Sequence, residues 1–150
     1  MYKNLTSSTL FVFLVTLLEL LGTMVLVYFV SFTFGATLIE NFYETTLFSL
    51  LISVTCFMPI FIYCEHTKPV DLLYRLFIKN EFKNSFEVKL VNIAFGGVIG
   101  AWCGALVIPL DWDRWWQEWP ISCCFGSMFG AMFSALYNFF ILRSKIKLHL

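Results

Sequence analysis

The sequence predicts an all-α integral membrane protein of about four transmembrane helices with both termini in the cytosol, and three observations carry that prediction. Of the 150 residues, 59% are hydrophobic and 13% are charged, about half the charge fraction of a soluble domain and too little to cover a soluble surface of this size. Four apolar runs reach the roughly 20 residues that a bilayer core of about 30 Å requires of a helix. Nine of the ten basic residues fall on one side of the arrangement those runs define.

The first run covers about 9–34. It is too long for a signal-peptide core and no A-x-A-like cleavage site follows, so it reads as a retained helix. Glu19 lies near its middle, where an ionisable group is costly unless it faces protein, is paired or stays protonated. That makes Glu19 a functional candidate, with a protonated carboxyl bonded to a neighbouring helix as the structural alternative. The second run covers about 46–64. The connector over 65–89 is too polar to span, but Val70, Leu73, Leu76, Phe77 and Phe82 recur near helical spacing among Arg75, Lys79 and Lys83. It reads either as an interfacial helix whose basic residues meet anionic lipid or as a solvated connector. The third and fourth runs cover about 90–110 and 119–142. Lys3, Lys68, Arg75, Lys79, Lys83, Lys89, Arg143, Lys145 and Lys147 then share one side, against Arg114 alone on the other. The excess marks the cytosolic face, and the whole chain, 1–150, reads as a single polytopic domain.

Several functions are disfavoured on composition. No basic cluster sits on a soluble surface, so nucleic acid is not an expected partner. The five cysteines are odd in number, their only close pair is adjacent, and no C-x-x-C occurs, which argues against a disulfide framework or structural zinc. Cys64, Glu65 and His66 are consecutive and would point in different directions on a helix. No metal or cofactor is expected.

The third run repeats Gly96, Gly100 and Gly104 every four residues, with Gly97, Ala101 and Ala105 one position along. The fourth repeats the device with Ser122, Gly126, Gly130 and Ser134, flanked by Ser127, Ala131 and Ala135. Small side chains at this spacing let helix backbones approach closely, and in lipid van der Waals packing drives association. The two faces are expected to pack on each other or on a partner.

Between them lies the 108–120 segment, which holds Trp112, Trp115, Trp116 and Trp119, four of the five tryptophans. An interfacial aromatic belt accounts for much of it. It does not account for Asp111, Asp113 and Arg114, set between Pro109 and Pro120. The expectation is a structural clasp in which Arg114 pairs with one carboxylate. An enzymatic reading would use both aspartates as metal ligands or bases and Arg114 as a phosphate holder. No nucleophile or histidine accompanies them, His66 and His149 belong to the opposite side, and the spaced acidic pattern of CDP-alcohol phosphotransferases is absent.

The stretch Gly100-Ala101-Trp102-Cys103-Gly104-Ala105, then Pro109-Leu110-Asp111-Trp112-Asp113-Arg114, Trp116-Gln117 and Trp119-Pro120-Ile121-Ser122-Cys123, closely resembles the signature of the phosphatidylinositol-glycan biosynthesis class F family. Phe34-Gly35-Ala36 with Glu44-Thr45 and Leu47-Phe48 resembles that family's entry to the preceding hairpin. The resemblance implies a multi-span protein of the endoplasmic reticulum membrane acting late in glycosylphosphatidylinositol (GPI) anchor assembly. It implies a non-catalytic subunit that stabilises the catalytic ethanolamine phosphate transferases, the class O and class G subunits. These add phosphoethanolamine, donated by phosphatidylethanolamine, to the third and second mannoses of the anchor precursor. Any metal would then belong to the partner. The chain departs from the family in lacking about two N-terminal spans, and Trp115 stands where many members have Pro. The expected partner-binding faces are the small residues of the last two spans, supported by the loop. The rival class is a lipid transporter or headgroup-modifying enzyme that uses Glu19 and the Asp111, Asp113 and Arg114 set.

Overall fold

The computed structural model describes residues 2–33, 36, 40–63, 73–82 and 84–148, and their side chains within 10–140. The expected all-α class holds. Four helices are long and apolar enough to cross a membrane, and the described residues contain no strand. They are α1 (Tyr2–Thr33), α2 (Phe42–Tyr63), α3 (Ser85–Ala105) and α4 (Ile121–Leu148). Within α2 the segment Ser53–Phe57 forms a wider π-type turn, an insertion that helices accommodate locally.

Two helix pairs build the bundle. The antiparallel pair α3 and α4 forms its main contact, and α1 packs on α2. The buried residues of α1 include Glu19, Thr23, Val27 and Ser31, spaced by four and therefore on one face. The matching interior of α2 includes Thr45, Ser49, Ile52, Ser53, Cys56 and Ile60. Three hydroxyls on this seam return to their own helix: Thr23 Oγ1 donates to the Leu20 carbonyl at 2.9 Å, Ser31 Oγ to Val27 at 2.9 Å, and Ser49 Oγ to Thr45 at 2.7 Å. Such back-bonding lets polar side chains enter an apolar interior without a partner helix.

The third helix is displaced from its expected position, starting at Ser85 rather than near Leu90 and ending at Ala105 rather than near Leu110. At its start, Asn84 is extended (φ −140°, ψ 153°) and so cannot continue a helix backward. Glu87 can enter the first turn because Arg75 grips its carboxylate through two bonds of 3.2 and 3.3 Å. At the end, the N–H groups of Leu106, Ile108 and Leu110 reach back only three residues, to Cys103, Ala105 and Val107. Pro109 has no N–H with which to prolong the α pattern.

Part of the expected interfacial helix, 65–72, lies outside the described residues. The described part is a single π-type turn, Tyr74–Ile78, that is tucked against the bundle. Leu76 is 1% exposed, and the Phe77 ring meets Phe57 and Phe95 at centroid distances of 6.1 and 5.1 Å. Arg75, which either reading of the connector would leave facing lipid or water, is turned inward to Glu87 and to the Glu81 carbonyl (2.7 Å).

Candidate functional site: the helix seam and its connecting loop

The structure brings the small residues of α3 and α4 onto each other. A Cβ added at Gly100 would collide with the Gly126 carbonyl oxygen and lie 3.1 Å from the Gly130 Cα. At Gly104 it would strike the Ser122 carbonyl, at Gly130 the Gly96 carbonyl, and at Gly96 the Ser134 hydroxyl. Backbone therefore lies on backbone along the length of the seam, which only the absence of side chains permits. Gly97 lies where α2 meets the pair: a Cβ there would stand 2.6 Å from Cys56 Sγ of α2 and 3.5 Å from Ser127 Oγ of α4. A partner seated on Gly96, Gly100, Gly104, Gly126, Gly130 and Ser134 would first have to part these two helices.

Two asparagines close the seam at its other end. Asn92 Nδ2 donates to Asn138 Oδ1 at 3.0 Å, and Asn138 Nδ2 donates to the Lys89 carbonyl at 3.2 Å. The sequence reading passed over this pair. The signal was two amides inside otherwise apolar runs, where each needs a partner.

The connecting loop is organised by Gln117, a residue also missed. It is 8% exposed, in a short 3-10 turn, Trp115–Gln117. Its Oε1 accepts from the Arg114 N–H at 3.0 Å, and its Nε2 donates to the carbonyls of Val107 (2.9 Å) and Leu110. One amide thus ties both limbs of the loop, using donor and acceptor together as a carboxylate could not. Trp119 anchors the loop to α2: its Nε1 donates to Thr45 Oγ1 at 3.0 Å and its ring meets Phe48 edge-on at 5.3 Å. Trp112 stacks edge-on against Trp116 at 5.7 Å.

The expected clasp does not form. Among the described residues no salt bridge joins Arg114 to Asp111 or Asp113, and all three are exposed. Asp113 takes a left-handed conformation (φ 47°), which Asp tolerates better than most residues, and the turn sends the charges outward. Trp112, Pro109 and Trp115 are likewise exposed, whereas Trp116, Trp119 and Pro120 are partly buried. Glu19 is distant in sequence from this loop and buried to 7% exposure on the face that α1 turns to α2. No group of three or more His, Cys, Asp or Glu side chains that could hold a metal ion occurs among the described residues. Cys64, Glu65, His66 and His149 lie outside them.

The chain matches the model of the GPI biosynthesis protein family Pig-F over residues 2–139. It is 39% identical over 94 residues to the "GPI ethanolamine phosphate transferase, stabilizing subunit" of Homo sapiens, covering 63% of this chain and 42% of that protein. The protein of the same description from Mus musculus is 37% identical over 102 residues, 68% of this chain and 46% of that one. "Glycosylphosphatidylinositol anchor biosynthesis protein 11" of Candida albicans is 31% identical over 124 residues, with shares of 82% and 43%. The chain spans less than half the length of these curated relatives. No solved structure matches. The resemblance read from the loop and its flanking helices is thereby borne out, and the chain belongs to the GPI biosynthesis protein family Pig-F.

Proposed function

We propose that this chain acts as a non-catalytic stabilising subunit of GPI ethanolamine phosphate transferases in the endoplasmic reticulum membrane. The catalytic class O and class G subunits are its partners, and the role supports phosphoethanolamine addition to the mannoses of the anchor precursor. The observation that carries the reading is the family match over residues 2–139, with relatives described as the stabilizing subunit of that transferase.

The geometry favours where the partner sits. With the glycine faces occupied by each other, what α3 and α4 offer a second protein is their outward sides, including exposed Ile99, Trp102, Phe125 and Phe129, and the loop above them. In this reading the chain is a single membrane domain with both termini cytosolic and the loop lumenal, so the free charges of Asp111, Asp113 and Arg114 face the compartment of the transfer reaction. The loop stabilises the partner through these charges and its exposed tryptophans.

The test is affinity purification of the tagged chain from mild-detergent microsomes of cells that express the enzymes. Recovery of an ethanolamine phosphate transferase in near-equal amount is the expected result. A clean preparation without it, or lipid turnover or flipping by the purified chain alone, overturns the reading in favour of a lipid-handling protein.

A further inference from the structure

The end of the bundle opposite the tryptophan loop carries a second organised surface. Tyr63, the last residue of α2, and Phe86, in the first turn of α3, meet at a tilt with ring centroids 4.7 Å apart, and both are 45% exposed. Lys89 Nζ lies over the Phe86 ring at 5.5 Å. On the neighbouring turn, Lys79 Nζ lies over the exposed Tyr74 ring at 5.8 Å, beside Ile78, which is 68% exposed. Each unit therefore pairs an accessible apolar ring with an ammonium group, and neither lysine has a salt-bridge partner among the described residues.

The turn is held in this presentation from behind. Leu76 is buried, and Arg75 is taken up by Glu87, so this inward-facing basic side chain also removes a carboxylate from the surface. Glu81 remains as an exposed acid nearby. Asn138 bonds to Asn92 and to the Lys89 carbonyl, which places the last turns of α4, with positions Arg143, Lys145 and Lys147, at this same end.

We infer that this rim, built on Tyr74 with Lys79 and Phe86 with Lys89, is a contact site for the headgroups of anionic phospholipids. The depth fits because Tyr63 and Phe86 stand where two membrane-crossing helices end, at the boundary between acyl chains and headgroups, and Tyr74 lies on the turn that connects those helices. The charge fits because unpaired lysines beside a bilayer draw anionic lipid to themselves. Rings in the acyl boundary with ammonium groups above them divide the lipid between its two chemistries. The inference stands apart from the identity of any protein partner.

The full chain is reconstituted in nanodiscs of phosphatidylcholine containing a minor share of phosphatidylserine. It is then released gently, and the lipids retained per chain are counted by native mass spectrometry. In Lys79→Gln and Lys89→Gln variants of unchanged helicity, retained phosphatidylserine falls about fivefold for each lysine removed, while phosphatidylcholine is unchanged. Glu81→Lys, which removes the nearby acid, raises phosphatidylserine retention and does not depend on the lysine variants folding. Equal retention by the double lysine variant, or parallel loss of both lipids, overturns the inference. So does loss of a co-purifying protein with lipid retention unchanged, which would make the rim a protein-binding surface.

Discussion

The α3–α4 seam and the loop that joins those helices are adjacent in space, yet they are held by opposite means. Along the seam there are almost no side chains: carbonyl oxygens of one helix occupy the space that a Cβ of the other would need. In the loop nearly everything depends on one side chain, Gln117, whose amide reaches three backbone groups. At Gly100, Gly104, Gly126 and Gly130 the seam has no way to yield, because the contacts there are backbone on backbone. The loop leaves its charged groups unoccupied and turned outward. The difference separates a part that holds the fold from a part that is free to meet something else.

The largest effect expected is from breaking the seam. Leucine at Gly100 would drive its Cβ into the Gly126 carbonyl and its longer atoms into the Gly130 backbone, with no flexible neighbour able to move aside. Gly100→Leu is expected to destabilise by at least about 3 kcal/mol, the upper range for overpacking a tight interior. Thermal unfolding in a fixed detergent checks this. A variant that stays monodisperse with an unchanged Tm would show that the helices are not in backbone contact.

A smaller loss follows from Gln117→Ala. Three hydrogen bonds disappear, each of net worth about 1 kcal/mol, and two carbonyls lose a donor in a partly buried loop. Water can reach the freed groups of a loop that is mostly exposed and offsets part of that loss, so the expected cost is about 2 kcal/mol. Faster hydrogen exchange should be confined to the Arg114 amide and the loop, leaving α3 and α4 as protected as before. Uniform loss of protection across both helices would mean that seam and loop form one cooperative unit, and the contrast drawn between them would fail.

How far each part was legible in the sequence follows the same division. The seam was readable because it is written as a local repeat: small residues every four positions on each helix announce a close approach before any coordinates exist. The four apolar runs and the family resemblance were readable for similar reasons. The bonds that set boundaries and fix the loop were not. Glu87 enters α3 only because Arg75, twelve residues earlier, is folded back against it, and the polarity of 65–89 puts both residues in one connector. Gln117 has no periodicity, and its role exists only once the turns place the Val107 and Leu110 carbonyls before it. Asn92 and Asn138 are 46 residues apart, so nothing local links them. In the loop, proximity in sequence misled: Arg114 lies beside two aspartates and pairs with neither, because the left-handed Asp113 turns the chain outward.

That last point yields the smallest effect on stability and the sharpest test of the division. If Arg114 closed a clasp, its removal would loosen the loop. With its guanidinium exposed and unbonded to Asp111 or Asp113, Arg114→Ala should change stability by less than about 0.5 kcal/mol, as surface substitutions without special contacts do. Its backbone N–H, which is what Gln117 actually holds, survives the substitution. Recovery of the transferase should nevertheless fall, since an outward charge is lost from the surface proposed to meet it, and the fall should shrink as salt is raised and screening takes over. Thermal unfolding and quantitative co-purification on the same preparations give the two readouts. Lost stability with proportionately lost partner would return Arg114 to a structural role. Unchanged stability with reduced, salt-sensitive recovery would assign its charge to the partner, because residue 114 is tied into the loop through its main chain, whose N–H donates to Gln117 Oε1 and whose carbonyl accepts from the Gln117 N–H.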